Sequence, residues 1–347
     1  MQPPATDIRQ GPPAALPARR RRTRWTWRAR IFCPAVVAFV AGVAALPIVA
    51  ADPPADLGDS GPFPTARADV RIPRPDGPAF DAVLVYPAES DGGSAMDRTA
   101  GPRPAVVFGH GFLQTPDRYD GTYAHLASWG YAVLAPASGD GLAPSHAAFA
   151  ADLSAGIDWL IAVSADPASP WSGAVDPRAL AASGHSMGGG ASLLAAAADS
   201  RIRAVANFAA AETQPSAIQA MALITVPVAL IAGSDDRITP PADHVEPMFA
   251  AGRGPRVRWL IDGGFHCGFQ DTPFPIGCDS GRLTRPDQLR IARRLLLTFF
   301  ELTLRGRDAR WPEVWGASAA GPGVTVRQAA APPVSVGGRA LLPMAWR

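Results

Sequence analysis

The sequence contains no lysine: all 32 of its Lys and Arg positions are arginine. That absence excludes several chemistries. No Schiff base can form on a lysine side chain, no phosphate-cradling loop ending in Gly-Lys-Ser/Thr can be built, and a Ser-x-x-Lys nucleophile pair is impossible. Cysteine is nearly as scarce, with three in 347 residues. Neither Cys-x-x-Cys nor His-x-x-x-His spacing occurs, so no metal site is expected.

Charge is sparse too. Charged residues make up 18% of the chain against 48% apolar ones, which suits a globular protein with a substantial core. The net charge of +2 hides an asymmetry. Residues 1–30 hold eight arginines against Asp7 alone, and residues 31–51 carry no charge. Taking that +7 from the total leaves −5 for the rest, which is no electrostatic footprint for nucleic acid.

The basic cluster has the parts of a secretion signal. Arg19 to Arg22 with Arg24, Arg28 and Arg30 precede an apolar stretch, 31–50, that ends in the small residues Val49-Ala50-Ala51. Residues 1–51 therefore read as a signal peptide. The alternative is an uncleaved membrane anchor, because the stretch is long enough to span a bilayer. Pro34, Pro47 and the small-residue end favour cleavage. Either way the bulk of the chain is expected outside the membrane, periplasmic or extracellular. Cys33 falls in this segment, which leaves Cys267 and Cys278 as the pair in the mature chain. An oxidising compartment then predicts a disulfide between them.

Residues 52–66 are rich in Pro, Gly and Asp and read as a linker. Residues 67–306 form the expected catalytic domain, and 307–347 a C-terminal extension. Strand patterns at 68–72 and 80–86 suggest an antiparallel opening. Short apolar runs follow at 105–108, 132–136, 180–183, 204–208, 228–232 and 257–261. Helical patterns fall at 122–129, 147–163, 187–198, 242–251 and 286–304. Such alternation predicts an α/β fold, a mostly parallel central sheet with helices on both faces. Active sites of such sheets collect on loops at the carboxyl ends of the strands. Residues 321–347 have no clear period and read as a loose tail or a strap over the surface.

One motif sits where that map requires it. Gly184-His185-Ser186-Met187-Gly188 follows the 180–183 run and precedes an Ala- and Leu-rich helix. A nucleophile elbow holds Ser in a strained strand-to-helix turn, and the residues two before and two after it must be small. A Ser hydroxyl needs a base to take its proton. Of six histidines, His266 alone follows the last predicted parallel strand, in the Gly-rich loop Asp262-Gly263-Gly264-Phe265-His266. It also completes the chain order Ser, acid, His of the α/β-hydrolase fold. The acid belongs after the 228–232 run, where Asp235 and Asp236 stand side by side; spacing does not separate them. Asp262 is a weaker candidate, on the strand beside His266 itself. An oxyanion hole needs two N–H donors. Met187 should supply one, and Phe112, in the loop Gly109-His110-Gly111-Phe112, the other. Residues 212–221 are expected to form part of the wall or a short lid.

These motifs resemble a known group. Val175-Asp176-Pro177-Arg178 leading into Gly184-His185-Ser186-Met187-Gly188-Gly189-Gly190 is similar to the bacterial cutinase and polyester-hydrolase branch of α/β-hydrolases. That branch lies close to the dienelactone-hydrolase-like and chlorophyllase-like esterases. Gly111-Phe112 with Thr115, Asp236-Arg237-Ile238-Thr239-Pro240 and Gly263-Gly264-Phe265-His266 extend the likeness across roughly residues 67–304. The resemblance implies Asp236 rather than Asp235 as the acid, Phe112 and Met187 as oxyanion donors, and a Phe112 ring that lines the acyl site. The chain departs from the pattern at Ala209-Ala210-Ala211-Glu212-Thr213, where polyester hydrolases usually carry a Trp; no wall for stacking flat acyl groups is expected there.

The implied activity is carboxylic-ester hydrolysis through an acyl-enzyme, with no cofactor or metal. The expected partner is a small-molecule or lipid-like ester, not nucleic acid, with membrane contact only through the N-terminal segment. An acyltransferase, a lipase or a peptidase would use the same three residues. A non-catalytic binding protein of this fold would normally have lost one of them.

Overall fold

The computed structural model describes residues 56–272, 276–336 and 339–341. The expected signal segment lies outside them, as do Leu342 and Trp346.

Nine strands form one sheet. β1 (Thr65–Ile72) and β2 (Phe80–Pro87) pair antiparallel, as the sequence predicts. β3 (Arg103–Gly109), β4 (Ala132–Pro136), β5 (Val175–His185), β6 (Ile202–Phe208), β7 (Val228–Gly233) and β8 (Arg256–Ile261) run parallel to one another. Every residue of β3, β4 and β7 is buried, which is why these strands read as continuous apolar runs rather than alternating ones.

Side chains along each strand leave on opposite faces, and the two faces build two separate cores. On one, Val107, Leu134 and Leu180 meet Phe149, Leu153 and Leu160 of α2 (His146–Ala165) and Leu193 of α3 (Met187–Ala198). On the other, Val106, Val133 and Trp259 meet Tyr123 and Leu126 of α1 (Asp120–Ser128) and a cluster from a long C-terminal helix, Arg285–Thr303. Each fully buried Leu, Ile or Phe contributes about 1.5–3 kcal/mol to this arrangement. Helices therefore cover both faces, as the βα alternation implies. Two shorter helices complete the first face: α4 (Ala217–Met221) and α5 (Val245–Ala251). The long helix is α6, capped by Thr284, whose hydroxyl accepts the Asp287 N–H ahead of Pro286 in the first turn.

The strand order is β1-β2-β4-β3-β5-β6-β7-β8-β9. From β3 the chain first crosses to β4 on one side, then returns to β5 on the other. That reversal opens a crevice at the carboxyl ends of β3 and β5, the place where open α/β sheets bind ligands.

The domain is larger than 67–306 at both ends. The stretch before β1, expected as a linker, is docked: Leu57 is buried, and the Trp129 indole donates to the Asp59 carbonyl. Beyond residue 306, α7 (Trp311–Val314) leads to a buried Trp315, and the Trp259 indole donates to the Ala319 carbonyl. The segment 321–347 supplies β9 (Val324–Ala329), an edge strand antiparallel to β8. Its residues alternate in burial only weakly, because β9 covers an edge rather than filling the core.

Candidate active site

Ser186 links β5 to α3 with φ +56° and ψ −120°. A side-chain-bearing residue in that region costs about 1–3 kcal/mol and persists only where its surroundings force it. Here the forcing is visible. A Cβ added to Gly184 would lie 2.4 Å from the Gly188 carbonyl, and one on Gly188 would lie 2.1 Å from the Gly109 oxygen. Strand end, helix start and the loop after β3 thus meet backbone against backbone. The Ser186 N–H donates to the Phe208 carbonyl, and its own carbonyl accepts from Gly190 and Ala211. Met187 opens α3, so its N–H has no partner within the helix.

The acid and base candidates meet in the same way. A Cβ on Gly233, at the end of β7, would lie 2.3 Å from the Gly264 carbonyl. That contact draws the loop after β7 onto the loop after β8. His266 Nδ1 lies 2.8 Å from Asp236 Oδ2, with both side chains buried. Asp236 Oδ1 accepts from the N–H groups of Ile238 and Thr239. The Thr239 hydroxyl sits 3.0 Å from both Asp236 Oδ2 and His266 Nδ1, and can donate to the Ala209 carbonyl at 3.2 Å. The neighbouring carboxylates are occupied elsewhere. Arg282 binds Asp235 and Asp262 at the surface and holds Asp235 down to about 2. Of the two carboxylates that spacing left open, Asp236 is the one buried against His266, while Asp235 is paired with Arg282.

His185 is fully buried, its ring 4.5 Å from that of His266. Burial, with His266 beside it, holds its pKa far below the usual imidazole value, so it stays neutral and adds no second cation to the site. The Tyr119 hydroxyl lies 2.8 Å from His185 Nδ1 and accepts from the Gly111 N–H at 3.1 Å. Burial raises its pKa, so the hydroxyl stays protonated. Tyr119 therefore ties the oxyanion-loop candidate to the elbow. His125 lies in α1, His146 begins α2, and His244 accepts the Glu212 N–H; none of the three lines the cleft.

That cleft has a volume of about 190 Å³ and is lined by Ser186, His266, Phe112, Leu113, Ile238 and Ile276, among others. Phe112, Leu113, Ile238 and Ile276 are 44%, 39%, 43% and 79% exposed, so the cleft has an apolar rim open to solvent. The predicted disulfide Cys267–Cys278 is present and brings Ile276 and Gly277 to the wall. Residues 212–221 do not take that role: none of them lines the cleft, because Glu212 is drawn away to cap α4 through the Ile218 N–H. Among the described residues, no three His, Cys, Asp or Glu side chains converge to hold a metal ion.

Three contributors escaped the sequence reading: Tyr119, the Thr239 hydroxyl, and Asp279, which accepts the His266 N–H. Thr239 was within reach, since it stands three residues after Asp236 in a quoted motif. Tyr119 and Asp279 had no local signal.

A family model described as PET hydrolase-like matches residues 60–271, a stretch that holds Ser186, Asp236 and His266. Lipase 1 of Moraxella sp. (strain TA144) is 27% identical over 212 residues, which are 61% of this chain. The chain spans 60% of the length of that curated relative. With more than half its length matched, on an α/β sheet that carries the elbow at the expected strand end, the chain belongs to the PET hydrolase-like family.

Proposed function

We propose that the protein is an exported serine hydrolase of carboxylic esters, with Ser186 as nucleophile, His266 as base and Asp236 as acid. The observation that carries this reading is the buried His266–Asp236 pair at 2.8 Å, set in one cleft with a Ser on a left-handed strand-to-helix turn. Asp236 fixes the tautomer with the proton on Nδ1 and leaves Nε2 as acceptor.

The reaction proceeds in two steps. His266 takes the Ser186 proton as Oγ attacks the ester carbonyl. The Met187 and Phe112 N–H groups receive the oxyanion, and the Phe112 ring lines the acyl site. The imidazolium then gives its proton to the departing alcohol, leaving an acyl-enzyme. Water, deprotonated by the same imidazole, releases the acid and restores Ser186. The lining includes no Asp, Glu or Arg among the described residues, which favours neutral acyl groups of modest size. Both the matched family and the lipase carry names of ester hydrolases. Export is supported by the disulfide, which is at home in an oxidising compartment.

Hydrolysis of a p-nitrophenyl ester series from short to long acyl chains tests this reading. The parent protein should be active, and Ser186→Ala should lose on the order of 10⁴-fold or more in kcat. Equal activity in both would refute it.

A further inference from the structure

We propose that Asp279 is a positioning residue that sets the distance between the acid and the base. The proposal rests on the assignment of Asp236 and His266 above. Asp279 Oδ2 accepts the His266 N–H at 3.0 Å and the Arg237 N–H at 3.2 Å. Its Oδ1 accepts the Cys267 N–H at 3.0 Å. Arg237 is the residue directly after Asp236. One carboxylate thus fastens the main chain beside the acid, at the end of β7, to the main chain of the base, at the end of β8.

The donors have no better partner. His266 and Cys267 open the 3-10 turn His266–Phe269, so their N–H groups lack an acceptor within it. Bonds from N–H groups to an ionised carboxylate are stronger than those to a neutral acceptor. The adjacent Cys278 is bonded to Cys267, with Cα atoms 5.7 Å apart. The disulfide therefore delivers the carboxylate to these donors. Phe269, stacked on Phe208 at 5.2 Å, anchors the far end of the same turn. The His266 ring is held by Asp236 and Thr239; its main chain is held by Asp279. Without the second hold, the main chains beside Asp236 and at His266 can part, loosening the bond between the two side chains and shifting the ring relative to Ser186. A displacement of about 1 Å can cost about 100-fold in rate.

The test compares the parent protein with Asp279→Ala and Asp279→Asn, using p-nitrophenyl butyrate as probe. In Asp279→Ala, kcat should fall about 10–100-fold with little change in KM. The amide of Asp279→Asn can accept from His266 and Arg237 through its oxygen but presents its NH₂ to Cys267. Its kcat should fall roughly 3–10-fold, the effect of one lost hydrogen bond. The downfield proton resonance of His266 Nδ1–H should shift or broaden in the same order. A merely structural residue would lower Tm and leave kcat and this resonance unchanged in the folded fraction.

A folded Asp279→Ala with kcat within twofold of the parent overturns the proposal, as does a loss confined to KM. Where Asp279→Ala does not fold, Asp279→Asn decides: reduced kcat with a shifted resonance supports the proposal, and parental values of both overturn it. Ser186→Ala separates the two readings. If it hydrolyses the ester at the parental rate, the active-site assignment itself fails; if it is inactive while the Asp279 variants are parental, only the present proposal fails.

Discussion

The floor and the rim of the cleft are built by opposite rules. The floor is backbone packed on backbone, with Gly184, Gly188 and Gly109 in contact beneath Ser186 and no room for one additional carbon. The rim is made of side chains that touch little: Phe112, Leu113, Ile238 and Ile276 stand open to solvent. Precision is concentrated where bonds would be made and broken. The part that would meet the substrate body is left loose and apolar, so changes in the two regions should have different signatures.

The largest expected contrast lies between two adjacent carboxylates. Asp236→Asn should lower kcat by about 10⁴-fold by favouring the wrong His266 tautomer, whereas Asp235→Asn, at the surface, should stay within twofold of the parent. Steady-state kinetics on one ester checks both, and equal losses would erase the distinction between the buried carboxylate and its half-buried neighbour.

A second contrast sets floor against rim. Gly188→Ala should cost about 3 kcal/mol or more, because its methyl would have to displace the Gly109 carbonyl. A fall in Tm together with activity is expected; an unchanged melt would show that the floor can give.

Acid should act on buried histidine rather than on the rim. His125 is held down to about 4, mainly by burial, against a usual value of 6.5. Between those limits the unfolded chain binds a proton that the folded one does not, so stability should fall as pH drops from about 6.5 to 4 and be flat above. The depressed pKa values of His110 and His185 add to the same slope. The shift at His125 corresponds to a contribution on the order of 3 kcal/mol. Urea melts across this range should show a shallower slope for His125→Gln.

The smallest effect belongs to the rim. Ile276→Ala should leave Tm unchanged and raise KM for longer acyl chains by roughly 2–3-fold, because it removes a mostly exposed contact. A kcat defect there would mean that the rim shares the floor's precision.

The comparison also explains what could be read from the sequence. The floor was legible because its constraints are local: Gly184 and Gly188 flank Ser186, and the buried strands β3 to β8 declare themselves by apolar runs. His266 followed from its place after a strand. The preference for Asp236 over Asp235 came from the resemblance; in the structure Asp236 lies buried against His266 while Arg282 holds its neighbour. Tyr119 and Asp279 were illegible because each acts across loops far apart in the chain. The strand β9 was missed although Val324-Thr325-Val326 are strand formers, because the run is short and lies in a Gly-, Pro- and Ala-rich stretch with no clear period.

That pairing bears on the order in which a growing chain becomes complete. The elbow, the loop after β3 and the loop carrying Asp236 all depend on strands made early. β8, from whose end His266 hangs, stays open along one side until α6 and α7 have been made and β9 arrives. A chain cut at residue 320 would retain Ser186 and its turn, yet show a bare strand edge to any neighbour able to pair with it. The support for the histidine strand is written after the rest of its sheet, so an interrupted copy is exposed to aggregation before that sheet is closed.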